Sequence, residues 1–254
     1  MGNKGGVSIS FTLHDTTMKF ICCHLHSGLD GVSKRNADIK DIMNSLVYPK
    51  VSKSSSTKVV AETREKVLPE ILIFLGDLNY RINGFKPSIM QCIGQDRYDL
   101  LIQSEQLLIE KQLGNIPTQF QEGEIAFAPT FKRAPYDNTT FKLKRNPAWT
   151  DRILYYAEHG LQQLKLEAYD ANNLVSLSDH RPVFAQFHLY VNMRDVAGME
   201  SSLSEEEGKR ADGISSNTRA TSKSVVSLGQ AKELTETAIE KINTERKVNN
   251  EIGK

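Results

Sequence analysis

The sequence predicts an α/β protein, a layered sandwich on a mixed sheet, and three observations carry that expectation. Val7, Ile9, Phe11 and Leu13 alternate with Ser8, Ser10, Thr12 and His14, the period of two that marks a half-buried strand. Ile71-Leu72-Ile73-Phe74-Leu75 is apolar throughout, as a strand covered on both faces should be. Between and beyond these runs, apolar residues recur at helical spacing, so strands and helices are mixed in irregular order.

The alternating strand at 7–13 is followed by His14-Asp15-Thr16-Thr17 and a second strand-like run, Met18 to Cys23, which together read as a hairpin. Ile39, Ile42, Met43, Leu46 and Val47 predict a helix over 33–47. Residues 48–60, with Pro49 and three consecutive serines, read as a loop, and a short helical segment over 61–68 stops at Pro69. The buried strand follows and closes at Gly76-Asp77. A helical region is predicted over 88–112, and strands at 125–127, 152–156, 164–169 and 183–191; in the last, Val183, Ala185, Phe187, Leu189 and Val191 share one face. After about Asn192 the composition changes: Ser, Glu, Gly and Lys dominate 200–224 and little is left to bury, so a disordered linker is expected. Leu228 to Ile252 regains helix formers on a thin apolar stripe and reads as a solitary helix or a partner-binding segment. The chain thus divides into a domain at 1–191 and a polar linker with a helical tail at 192–254.

The 254 residues are 39% hydrophobic, enough for a substantial core. No apolar run approaches the ~18 residues that would suggest a membrane span, and no charged start with an apolar stretch resembles a secretory signal, so the expected compartment is cytoplasmic. Three cysteines make no disulfide framework and suit a reducing environment. None of them opens a Cys-x5-Arg loop, because the sixth residue onward is Gly28, Leu29 or Tyr98, and that class of phosphatase is excluded. A net charge of +1 excludes a globally basic nucleic-acid binder. It hides an asymmetry between Thr130 and Ile153, where Lys132, Arg133, Lys142, Lys144, Arg145 and Arg152 face only Asp137 and Asp151. That stretch is a candidate anion site. The opening MGNKGG has Gly6 where an acylation signal needs Ser or Thr, and it lacks the spacing of a Walker-type phosphate loop.

Four stretches put ionisable groups at the ends of apolar strands: CCHLHSG, FLGDLNYR, NPAWTDRIL and LSDHRPV. In the first, Cys22, His24 and His26 would share a face, but no further clustered Cys or His supplies a fourth ligand for a structural zinc. In the second, Asp77 and Asn79 would point to one side if the chain stays extended, a carboxylate able to deprotonate water beside an amide able to hold a phosphate oxygen. In the fourth, His180 could stabilise a phosphoryl group under in-line attack, with Asp151 orienting the imidazole. Each stretch alone has a bland reading as a turn, a cap or a satisfied loop histidine.

They occur together, and GNKGGV, CHL followed by KRN, LGDLNYRI, FQEGEIAFAPTFK, NPAWTDRIL and SDHRPV, in this order, resemble the inositol polyphosphate 5-phosphatase family. The resemblance covers about residues 2–190. It implies the α/β sandwich of the endonuclease/exonuclease/phosphatase type and a magnesium-dependent (Mg2+) hydrolysis of the 5-phosphate of phosphoinositides or inositol polyphosphates, with no phosphoenzyme. It implies that Asp77 activates water beside Asn79, that His180 contacts the scissile phosphate and is oriented by Asp151, that His24 contacts the phosphate, and that Asp179 lies at the metal. Substrate binding by this resemblance maps onto Lys132, Arg145 and Lys144, with Lys142 a looser match, and onto Asn3 and Lys4 of GNKGG. Two positions depart from the pattern: Cys22 stands where Asn is common, and Arg133 where Tyr follows PTYK, a change expected to add charge at the head-group contacts. The resemblance also implies that GNKGG is an interior loop of the catalytic domain, so that the family's metal-binding Glu and phosphate-binding Asn have no counterpart in this chain. The rival expectations are an inactive fragment that binds acidic head groups, or a protein partner through the C-terminal helix, and a nuclease of the same superfamily. Membrane contact, where there is any, would be peripheral, and no nucleic-acid partner is expected.

Overall fold

The computed structural model describes residues 3–47, 68–192 and 223–226. The first alternating run forms β1 (Gly5–Leu13) and pairs antiparallel with β2 (Thr16–His24). Leu13 pairs with Thr16, so the hairpin turns on His14-Asp15 alone, tighter than the four-residue link the sequence suggests, with His14 in the left-handed region at φ 52°. Helix α1 (Val32–Ile42) continues as a widened π-type turn over Met43–Val47 and buries Ile39, Ile42, Met43 and Val47, the stripe that predicted it. The predicted loop and short helix over 48–67 lie outside the described residues. Strand β3 (Ile71–Asp77) runs parallel to β2, and its first four residues are all buried, which accounts for the unbroken apolar run.

The helical region is three short helices rather than one long one: α2 (Lys86–Gly94), α3 (Tyr98–Ile102) and α4 (Gln106–Gln112). Asp96 sits at φ 51° between the first two, and Glu105 caps the third through the Leu108 amide at 2.9 Å. The predicted strand at 125–127 does not form. The two-residue β4 (Gln121–Glu122) pairs with β5 (Asp151–Ala157) instead. Past it the chain is pulled inward by packing: Phe127 meets Tyr169 edge-on, and the Trp149 indole donates to the Phe127 carbonyl at 2.9 Å, the group a strand partner would need. Strands β6 (Leu164–Ala171) and β7 (Val183–Asn192) pair antiparallel, and β8 (Lys223–Val226) pairs with β7. Lys223 and Ser224, expected in the linker, are therefore in a strand. The expected C-terminal helix falls outside the described residues.

Two sheets result, ordered β1-β2-β3-β5-β4 and β6-β7-β8. Ile21, Cys23, Leu72, Phe74 and Leu154 on one face of the larger sheet pack against Ile39, Ile42 and Leu107 of the helices. Met18, Ile71, Ile73 and Tyr155 on the other face pack against Leu164, Phe187 and Leu189 of the smaller sheet. The order helix, sheet, sheet is the layered sandwich that the sequence predicts.

Where β2 and β3 end, the backbones close up. Gly76 pairs with Cys23 at φ 133°, and a Cβ there would stand 2.0 Å from the Cys23 carbonyl oxygen. Replacing Gly76 by Ala is expected to cost about 3 kcal/mol or more, since clash and backbone strain add. Urea unfolding would show it as a lowered midpoint with unchanged slope.

Candidate active site

The register of three strands assembles the site. His24 pairs with Asp77 across β2 and β3, and Asp77 pairs with Asp151 across β3 and β5, so three ionisable residues occupy one rung at the end of the sheet. The His24 Nε2 lies 3.3 Å from Asp77 Oδ2. The same nitrogen is hydrogen-bonded to the Lys4 ammonium.

His180 reaches this rung from the loop before β7. Its Nδ1 lies 3.0 Å from both Asp151 oxygens, the orientation the sequence suggested. The loop is held to the segment at 130–133 by Arg133 N–H donating to the Asp179 carbonyl at 2.8 Å and Arg181 N–H donating to the Thr130 carbonyl at 3.1 Å. Asp151 Oδ2 also accepts from the hydroxyls of Thr130 at 2.6 Å and Thr150 at 3.0 Å. With Nδ1 facing a carboxylate, Nδ1 carries a proton and Nε2 is the atom left to act on a ligand. A cleft of about 330 Å3 runs past Asp77, Asp151 and His180 and is floored by Leu75, Ile153, Val175, Leu177 and Val183.

Asp77 and His180 both titrate above their ordinary values, for opposite reasons. Burial and then the neighbouring charge of Asp151 push Asp77 up, against the pull of His180, His24 and Arg81. Burial works against the His180 imidazolium, but the hydrogen bond and charge of Asp151, with Asp77 and Asp179 behind it, outweigh it and lift the pKa.

Asn79 does not continue the extended geometry assumed for it. It adopts φ 58°, and its N–H turns back onto Asp77 Oδ1 at 3.0 Å, an Asx turn. Its buried amide donates to the Leu25 carbonyl at 3.0 Å and accepts from the Arg81 guanidinium. Arginine has no acceptor, so this bond fixes which end of the amide is oxygen. Arg81 is the residue that sequence reasoning missed, although it lies in the quoted GDLNYR. It is 5% exposed, lies over the Phe131 ring at 4.5 Å, and burial pulls its pKa down to about 10. The Phe131 ring also contacts the His180 ring, with centroids 4.7 Å apart.

The remaining predicted residues divide. Lys132 is at the site, 2.7 Å from Asp179 Oδ2, and that contact holds Asp179 below the usual carboxylate range. Lys144, Arg145 and Asn3 are exposed, and Arg145 is near enough to Arg81 to depress its titration. Arg133 is corrected: it is buried, donates to the Asn138 carbonyl at 2.8 Å and lies over the Phe141 ring, so it adds no free charge at the head-group contacts. Arg152 is also buried, facing Glu105 and Glu122 at 3.0 and 2.6 Å. The basic stretch therefore presents four surface cations and not six. As for a metal, Asp179 is paired with Lys132, and among the described residues no three His, Cys, Asp or Glu form a group that could hold an ion. The described residues do not by themselves fit the expected magnesium site.

Residues 1–186 match the model of endonuclease/exonuclease/phosphatase family 2. The chain is 34% identical over 206 residues to type I inositol polyphosphate 5-phosphatase 5 of Arabidopsis thaliana, covering 77% of this chain and 37% of the relative. It is 36% identical over 197 residues to type IV inositol polyphosphate 5-phosphatase 9 of the same plant, covering 74% and 45%. It thus spans less than half the length of either. The crystal structure of the inositol polyphosphate 5-phosphatase domain of SPsynaptojanin, in complex with inositol (1,4)-bisphosphate and a calcium ion, is similar at TM-score 0.65 and 29% identity over 80% of this chain and 56% of that one.

Because Asp77 holds its proton more tightly when folded than when unfolded, its ionisation disfavours the fold as pH rises from the ordinary Asp value near 4. Asp77→Asn should therefore raise the thermal midpoint at pH 7 by ~2–4 °C, about 1 kcal/mol. The gain should vanish as pH falls toward 3 in a pH series of melting curves, where the wild-type carboxyl is itself protonated.

Proposed function

The chain belongs to endonuclease/exonuclease/phosphatase family 2, with inositol polyphosphate 5-phosphatases as its relatives, and on that footing we propose that it hydrolyses the 5-phosphate of phosphoinositides or inositol polyphosphates. The observation that carries this reading is the rung of His24, Asp77 and Asp151 with His180 docked on Asp151, because it supplies a base and a cation at one cleft. A water held by the Asp77 carboxylate loses its proton to that oxygen as it attacks phosphorus in line with the departing ring oxygen, which takes a proton from solvent and leaves as the ring hydroxyl. His180, protonated, donates from Nε2 to a non-bridging phosphate oxygen and offsets the charge that accumulates there. Asp151 keeps the ring oriented through Nδ1. Lys132, Lys144 and Arg145 pair the remaining ring phosphates.

Dependence on a divalent cation, magnesium, is part of the proposal and is supported by the calcium ion in the synaptojanin-domain crystal structure. Peripheral membrane contact is supported by Phe85 and Leu143, 73% and 53% exposed, on two loops tied by Lys86 Nζ donating to the Leu143 carbonyl at 2.6 Å. Lys142, Lys144 and Arg145 flank them, a pairing of apolar tips and cations that suits an anionic lipid surface. Among the described residues no helix is long and apolar enough to cross a membrane. The proposed location is cytoplasmic, which the three free cysteines suit. A second reading, an inactive fragment that binds phosphoinositides or a protein partner, is favoured by one observation, the absence of a metal-holding cluster among the described residues.

Phosphate release from a bisphosphorylated phosphoinositide carrying a 5-phosphate decides between them. The first reading expects turnover that stops on adding chelator and returns with magnesium; the second expects binding of the same lipid without turnover. His180→Ala should lower kcat by roughly 10²–10⁴-fold. The pH profile of kcat/KM should be bell-shaped, rising as Asp77 ionises above the ordinary Asp range and falling above the ordinary imidazole value near 6.5. A flat profile through both limbs would remove these two residues from their roles.

A further inference from the structure

A second cleft, of about 880 Å3, takes no part in the reaction above: none of His24, Asp77, Asp151 and His180 lines it. It runs along the segment that follows β4, and Tyr98 and Ile102 of α3 and Leu108 of α4 line it from the helical side. Strand β4 ends the five-stranded sheet, so among the described residues its outer edge has no strand beside it. Beyond it Glu124, Ile125 and Ala126 are exposed, half-buried and exposed in turn, the alternation of a strand. Their N–H and C=O groups make no backbone hydrogen bond among the described residues. This is the run in which the sequence predicts a strand, and what it lacks is a neighbour.

The cleft is also acidic. Asp96, Asp99, Glu122, Glu124 and Asp170 line it against Lys111 and Arg152. Arg152 is taken up by Glu105 and Glu122, and Asp99 by Arg97 at 2.8 Å, which leaves Asp96, Glu124 and Asp170 facing Lys111 alone. An open strand edge, an apolar lining and a surplus of carboxylates ask three different things of a ligand. An extended basic peptide supplies all three, because its backbone answers the edge while its side chains alternate between the lining and the acids.

We propose that this cleft takes a basic, extended segment of a partner protein, which adds a strand beside residues 124–126. Every second side chain of the incoming strand packs on Tyr98, Ile102, Leu108 and Phe127, and lysine or arginine at the positions between them meets Asp96, Glu124 and Asp170. A purely aliphatic ligand would leave the carboxylates and the free backbone groups unanswered, and a polyamine would leave the apolar lining bare. The cleft adjoins the one at the reaction centre through Arg152, which lines both. A partner seated there therefore leaves Asp77 and His180 open to substrate.

The test uses the whole chain, 15N-labelled and titrated with a synthetic hexapeptide of alternating lysine and valine. Two control peptides accompany it, one with glutamate in place of lysine and one N-methylated along its backbone. The expected result is that the lysine peptide moves the amide resonances of residues 124–126 while that of Asp77 stays still, and that added salt weakens the effect. Both controls, and the lysine peptide against Glu124→Lys, should bind roughly ten-fold more weakly or worse. Glu124 is exposed, so the variant's other amide resonances should match those of the wild type and show that it folds. Equal binding of either control, unchanged affinity in Glu124→Lys, movement confined to the reaction centre, or no movement at about 1 mM peptide overturns the proposal. Movement of residues 124–126 on concentrating the chain alone overturns it too, since the occupant would then be a second copy.

Discussion

Two carboxylates on neighbouring strand ends set the terms for everything around them. Asp77 and Asp151 face one another across β3 and β5, where opposed side chains start ~5 Å apart. At an effective dielectric near 20, two like charges at that separation repel by about 3 kcal/mol. Asp151 is relieved by two threonine hydroxyls and an imidazole, and Asp77 by His24 and the guanidinium of Arg81 nearby. Each relieving group comes from a different element, so the loops at 130, 150 and 180 are drawn to one point by the charge they surround.

What keeps those loops in place is a set of buried arginines. Arg35 holds the loop after β2, and Arg181 donates to the Ser178 carbonyl at 2.8 Å and the Ala134 carbonyl at 3.0 Å, joining the strands of chain that carry His180 and Lys132. Arg152, one residue from Asp151 and on the opposite face of β5, binds Glu122 while Tyr169 donates to the same carboxylate at 2.8 Å. Such groups are costly to desolvate, and Arg35 and Arg181 use their terminal N–H groups to satisfy carbonyls that irregular backbone would otherwise leave bare. This is the physical reason that cations counted in the sequence overstate the charge available to a ligand.

Periodicity made the sheets legible, because burial on one face or two leaves an alternating or continuous apolar run, as in β1 and β3. It failed where side chains rather than a neighbouring strand took the backbone's hydrogen bonds. Trp149 takes the Phe127 carbonyl, and no feature local to 125–127 announces a residue 22 positions away. His24, Asp77, Asp151 and His180, which the structure brings together, stood out in the sequence because they lie at or just beside the ends of apolar strands within distinctive motifs. The turn at Asn79 was not, since Asp-x-Asn fits an extended chain and an Asx turn equally well. The pairing of Lys132 with Asp179 was hidden too: a contact across 47 residues depends on how two loops dock, and spacing says nothing of that. Arg81 illustrates a different failure, where a residue inside a quoted motif was passed over because burial, which gives it its role, is invisible in a string of letters.

The environment of the site also explains how one cleft could hold a base and an acid near neutral pH. Asp77 is raised by burial and by a like charge; His180 is raised by an opposite charge that overcomes burial. The first shift brings a carboxylate up toward neutrality, where it is a stronger base, and the second keeps an imidazole protonated past its ordinary range. Both shifts share Asp151 as a source, so they cannot be tuned separately: weakening that carboxylate would make Asp77 a weaker base and leave less of His180 protonated. A ligand of the kind proposed would displace water from the apolar floor of the cleft and so lower the local dielectric, which strengthens each of these charge interactions. An anionic ligand, however, adds charge of the same sign as the two aspartates. Cations placed beside the site residues, Lys4 on His24, Lys132 on Asp179 and Arg145 near Arg81, are accordingly a condition for an anionic ligand to approach, and the strand register that creates the acidic rung makes a basic surround a physical necessity.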